Sequence, residues 1–155
     1  MSKLSLIFSA CLLILSIARS EASTVDVSGT YSGGANNGSF TGSFTITGSV
    51  FTAGDVLFKA TTGTDFGELN VFGSGSSTSI GLGNSGGTLF AGFNLMPPGT
   101  TVSDLLAAGS ASFSGGIVSV PGETPLANLN GTAMTPIPAA LPLFATGIGA
   151  IGLIG

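Results

Sequence analysis

Ser39-Phe40-Thr41-Gly42-Ser43-Phe44-Thr45-Ile46-Thr47 alternates with a period of two. Phe40, Gly42, Phe44 and Ile46 point one way, and Thr41, Ser43, Thr45 and Thr47 the other, as a strand with one buried and one wet face requires. Residues 88–96 repeat the pattern with Leu89, Ala91, Phe93 and Leu95. Further strands are expected at 24–31, 56–61, 66–72, 79–82 and 110–120. Gly, Asn and Pro clusters at 33–38, 73–75, 83–87 and 97–99 read as the loops between them, because Gly and Asn permit positive φ and Pro fixes a turn. One helix-like stretch, 103–109, carries a Ser or Asp cap in front and Gly109 as its stop. Strand spacing suits a mainly β fold, an antiparallel β-sandwich-like body. A β-solenoid is the alternative, although it needs a regular coil length that the sequence does not show.

Composition narrows the chemistry. Only 6% of the 155 residues are charged and Gly reaches 26, against averages of about 25% charged and about 7% Gly. The polar surface must therefore consist mostly of Ser, Thr, Asn and backbone. After Ser23 the single basic side chain is Lys59, facing Asp26, Asp55, Asp65, Glu68, Asp104 and Glu123. Nucleic acid is excluded as a partner on this count, since neutralising phosphates takes several Lys or Arg on one face. His and Trp are absent, and the single Cys, Cys11, lies in the apolar start. No Cys or His metal site is expected in the mature chain, and no cofactor.

Three local patterns are weighed against what their chemistry needs. Gly81-Leu82-Gly83-Asn84-Ser85-Gly86 fits G-x-G-x-x-G, but a dinucleotide site needs a helix after it to aim amides at the pyrophosphate, and here another strand is expected. Ser85 sits in a G-x-S-x-G frame at 83–87, which requires a His that this chain lacks; Lys59 is more readily a solvated edge residue than a desolvated base. Asp55, Asp65 and Glu68 are too scattered for a Ca²⁺ loop. The expectation is a non-enzyme.

The two ends read as addresses. Lys3 supplies a positive start, residues 4–17 an apolar run, and Ser20-Glu21-Ala22 a small-x-small cleavage site, so signal peptidase is expected to cut between Ala22 and Ser23. At the other end Pro136-Ile137-Pro138 introduces an uncharged run from Ala139 to Gly155. As a helix it would rise about 25 Å, a little short of a hydrocarbon core of about 30 Å, so it spans only marginally. Ala145, Gly149 and Gly152 share one face of it, a small-residue stripe that lets another helix approach closely.

Residues 135–150, Thr-Pro-Ile-Pro-Ala-Ala-Leu-Pro-Leu-Phe-Ala-Thr-Gly-Ile-Gly-Ala, resemble the carboxyl-terminal sorting segment of PEP-CTERM proteins in its V-P-L-P-A variant. The resemblance implies that Pro136, Ile137, Pro138 and Ala139 form the motif handled by exosortase, a membrane-embedded cysteine transpeptidase-like enzyme of Gram-negative bacteria that make extracellular polysaccharide. Ile137 stands where the commonest form carries Glu, and the Arg or Lys cluster that normally follows the family's helix is absent from the sequence given.

The expected organisation is a signal peptide at 1–22, a β-rich exported body at 23–121, a linker with a short strand at 122–135, and a sorting or transmembrane segment at 136–155. The function expected is structural or adhesive, at the cell envelope or surface, with a carbohydrate-binding sandwich as the alternative. Expected partners are the export machinery with signal peptidase, an exosortase-like enzyme, the membrane and extracellular polysaccharide.

Overall fold

The structure is a computed structural model that describes residues 22–120 and 124–136. Its elements are β1 (Ser23–Gly33), β2 (Asn36–Thr47), β3 (Val50–Thr62), β4 (Gly67–Leu69), β5 (Val71–Gly75), β6 (Ser79–Gly83), β7 (Leu89–Met96), α1 (Val102–Ala108), β8 (Ser110–Ser119) and β9 (Thr124–Met134). They form one sheet in the order β4-β3-β2-β1-β9-β8-β7-β6-β5. Every pairing is antiparallel, and only β1 with β9 joins strands distant in sequence. The two strands at the ends of that order, β4 and β5, are consecutive in the chain and separated by Asn70 alone. Across the remaining gap the Phe51 N–H donates to the Ser76 carbonyl at 3.1 Å. The sheet thus curls into a nearly closed barrel.

This corrects the two-sheet sandwich. Alternation gives each strand one apolar face, but it does not say whether that face meets a second sheet or the far wall of its own. The solenoid alternative fails too, because its coils would stack in parallel. Residues 73–75, expected as a loop, belong to β5, and residues 122–135, expected as a linker with a short strand, contain the eleven-residue β9. The body therefore runs to Met134. Apart from Ala22 and Pro136, the signal segment and the sorting segment lie outside the described residues.

The interior explains much of the glycine content. Five inward aromatics each stand directly across a strand pair from a glycine: Tyr31 from Gly38, Phe40 from Gly29, Phe44 from Gly54, Phe93 from Gly115 and Phe113 from Gly131. A methyl group added at Gly29 would lie 2.6 Å from Phe40 Cζ, and one at Gly131 2.8 Å from Phe113 Cζ. At Gly29, Gly38, Gly54 and Gly131 glycine leaves room for the ring to fold over the opposite strand, the large-beside-small filling that a narrow barrel demands, whereas at Gly115 it is the Gly92 backbone that a side chain would meet. Phe44 meets Phe93 at 5.2 Å and Phe51 at 5.6 Å, while Phe40 meets Phe113 at 5.7 Å. Each buried Phe contributes about 1.5–3 kcal/mol by burial, with roughly 0.5–1.5 kcal/mol more per well-placed aromatic pair. Between Phe44, Phe51, Ile80, Phe93, Leu95 and Phe113 there is no room for a water molecule.

Each end of the barrel is covered differently. At one end α1 inserts Val102 and Leu105. Its cap is Thr101 rather than Ser103 or Asp104: the Thr101 hydroxyl accepts from the Asp104 N–H at 3.3 Å, and the Asp104 carboxylate accepts from the Thr101 N–H at 2.8 Å. This capping box satisfies two otherwise orphaned groups. Gly109, as expected, ends the helix, with the left-handed φ of 79° that disfavours side chains. At the other end Phe66 lies 5.2 Å from Tyr31. Asp26 opposes Met134 across β1 and β9, so β1 begins and β9 ends at the α1 end of the barrel.

Candidate functional site

With Phe40, Phe44, Phe51, Phe58, Phe66, Phe93 and Phe113 all buried, the outer surface carries mostly small polar side chains, with Leu57, Val71 and Phe72 among its exposed apolar exceptions. In register across the strands, Ser79, Asn94, Ser114, Asn130, Thr30 and Ser39 form one row ending at Lys59. The next row runs Met96, Ser112, Thr132, Ser28, Thr41 and Leu57. Neighbouring positions in a row stand about 4.8 Å apart along the hydrogen-bonding direction. A transmembrane barrel turns an apolar band outward and polar groups inward; this one is built the opposite way, so its outer wall faces water. No helix among the described residues is long and apolar enough to cross a membrane.

One end of the first row opens into a cleft of about 410 Å³, lined by Thr78, Asn94, Leu95, Met96, Pro98, Gly99 and Ser114. Three connections build it. The Leu95 N–H donates to the Thr78 carbonyl at 2.9 Å, the Val102 N–H donates to Ser77 at 2.7 Å, and the Thr100 N–H closes the 97–100 turn on the Pro97 carbonyl at 3.0 Å. These bonds set the Thr78 loop on one side of Asn94 and the Pro98-Gly99 turn on another. β7 and β8 supply the floor, where Asn94 opposes Ser114. None of the lining residues is charged.

Residues singled out in the sequence are scattered. Gly81 and Gly83 are in β6, and the 84–88 turn leads directly into β7, where the Asn84 carboxamide oxygen accepts from the Thr88 and Leu89 N–H groups at 2.9 and 3.1 Å. The G-x-G-x-x-G frame is thus a hairpin, and Ser85 is exposed at its tip. Lys59 stands on the outer face opposite Ser39, and Asp55 opposite Ser43. Asp65 accepts from the Gly67 N–H at 3.2 Å, and Glu68 from the Asn70 amide at 3.0 Å. The carboxylates of Asp65 and Glu68 are therefore engaged in local turns. Ala22 and Ser23 are exposed at the start of β1, and Pro136 is exposed beyond β9. Ile137, Pro138, Ala139, Ala145, Gly149 and Gly152 lie outside the described residues.

One buried polar atom stands apart. Tyr31 is 2% exposed, and its hydroxyl has no hydrogen-bond partner among the described residues. Burial, and secondarily the negative charge of Asp65, push this phenol above its ordinary range. No family model, no curated protein and no solved structure matches this chain.

Proposed function

We propose that the chain is an exported cell-surface protein whose barrel plays a structural or adhesive part, delivered by an amino-terminal signal and handled at its proline-led carboxyl segment by an exosortase-type enzyme. The observation that carries this reading is the fit between the two expected processing regions and the limits of the folded unit. β1 begins at Ser23, the residue after the expected cut, and β9 ends at Met134, with only Thr135 before Pro136. Processing at either region would leave every strand pair among the described residues intact. β1 begins and β9 ends at the same end of the barrel, which suits a domain tethered through that end with its opposite end and its wall presented outward. A wall of neutral hydroxyls and amides supports contact rather than catalysis, because Ser, Thr and Asn offer many hydrogen bonds but no general base near neutral pH.

Cell fractionation tests the anchor. The full chain should be retained in the envelope, and a chain lacking residues 136–155 should be released; equal retention of both sinks the anchoring step. The mature product should begin at Ser23 on amino-terminal sequencing, and a product beginning at Met1 overturns the signal assignment.

A further inference from the structure

We infer that the cleft beside Asn94 and Ser114 is a binding site for an uncharged, polyhydroxylated ligand, a segment of neutral glycan; this rests on the adhesive reading and names what is held. Its chemistry follows from the lining. Thr78 and Ser114 contribute hydroxyls and Asn94 a carboxamide, groups that both donate and accept. Met96 and Pro98 supply apolar surface, against which the C–H face of a pyranose ring can lie. A few convergent polar groups beside apolar wall, in a volume within the usual range of about 300–1,000 Å³, is the composition of a small-molecule site. The row continues from Ser114 to Asn130 and Thr30, so a chain of sugars entering the cleft meets further side chains of the same kind.

Other ligand classes fit less well. An anionic glycan or a phosphate finds no cation among the lining residues. A peptide that binds by strand addition does so chiefly through main-chain hydrogen bonds at a free strand edge. Here β7 is paired with both β6 and β8, and β8 with both β7 and β9, so that stretch of backbone is already taken. What projects from the floor is side chains, in a row that steps about 4.8 Å from strand to strand.

The test uses the purified full chain in detergent and titrates it with hexasaccharides of β-1,4-glucose, β-1,4-mannose and α-1,4-glucose, with hexagalacturonate and a Ser/Gly peptide in parallel. At least one neutral hexasaccharide should bind, and Asn94→Leu and Ser114→Leu should each weaken it about tenfold, the loss expected for one or two hydrogen bonds. Ser43→Leu, on a different outer row, should bind as the parent does. The milder Ser114→Ala, with unfolding curves for every variant, separates loss of the site from loss of the fold. Absence of binding to all three neutral sugars overturns the inference, as does preference for hexagalacturonate or the peptide, or equal weakening by Ser43→Leu. Because binding by purified protein does not depend on export or anchoring, failure here leaves the fractionation outcome standing, and the reverse.

Discussion

The wall formed by β2, β1, β9 and β8 and the seam formed by β4 and β5 differ both in alternation, since β5 is exposed at all five positions, and in how completely they are paired. In the wall, β1 is in register with β2 from Ser23 opposite Ile46 to Gly33 opposite Asn36, and β8 pairs with β9 from Ser110 opposite Met134 to Ser119 opposite Thr124 with one register shift between Ile117 and Val118. At the seam β4 pairs with β3 only from Gly67 to Leu69, and one backbone bond, Phe51 to Ser76, bridges the gap near the end of β5. Phe72 shows the consequence. It stands opposite the inward Leu82, yet it is 42% exposed. The first and last strands lock each other, so the barrel should open at the seam and not where its ends meet.

The largest effect should come from the wall. Phe44→Ala removes a ring packed on Phe51, Phe93 and Phe113 and should destabilise the full chain by about 3–5 kcal/mol in urea unfolding. A cost comparable to that of a surface substitution would mean that the wall is not the rigid half. Gly29→Ala probes the opposite error, overfilling. Its methyl would collide with the Asn130 carbonyl and press on Phe40 Cζ, for a loss of about 1–3 kcal/mol. An unchanged midpoint would show that aromatic-over-glycine pairing is not what sets the barrel's width.

At the seam, Phe72→Ser should change stability by no more than about 0.5 kcal/mol, because the ring is already partly in water. Amides of Val71–Gly75 should exchange with solvent faster than those of Val25, Val27 and Tyr31. Slower exchange in β5 would reverse the comparison.

The wall and the seam were also unequally legible. Residues 39–47 and 88–96 carry large apolar side chains at every second position or nearly so, and β2 and β7 lie where that pattern puts them. β9 was expected only as a short strand within a linker because its inward positions, Ala127, Leu129, Gly131 and Ala133, include only one bulky residue. The space they leave is filled from elsewhere, Phe113 folding over Gly131, so the hydrophobic signal for β9 is written on β8. Val71 and Phe72 of β5 fall in the strand expected at 66–72, but its second part was read as a loop because Gly73-Ser74-Gly75 is ordinary loop composition, and only pairing with β6 makes it strand. Sandwich and barrel share one alternation; the contact that separates them, β1 with β9, joins segments about a hundred residues apart. The cleft was illegible for a similar reason. Asn94 and Ser114 are unremarkable outward residues until the β7–β8 register sets them face to face.

The smallest effect is expected at α1, which touches both regions. Its first residue, Val102, donates to Ser77 on the seam side, while the Gly109 carbonyl after its last turn accepts from the Thr135 N–H at 2.9 Å beyond the wall strand β9. The Thr101 hydroxyl, and then the Thr101 N–H, hold the Asp104 carboxyl below its ordinary value, with burial acting weakly the other way. A carboxyl whose value is lowered by folding adds stability above its unfolded pKa and loses it as pH falls through the folded one. Acidification below the usual carboxylate range should therefore loosen the cap first. Exchange at the Val102 amide should quicken relative to the Thr135 amide, and Asp104→Asn should abolish the pH dependence of that difference. The ratio of the two rates is the informative quantity, because intrinsic exchange changes with pH at both sites alike. If the ratio stays constant as pH falls through and below the usual carboxylate range, the cap does not control the seam side of the helix, and the weakness of the seam lies in β4 and β5 alone.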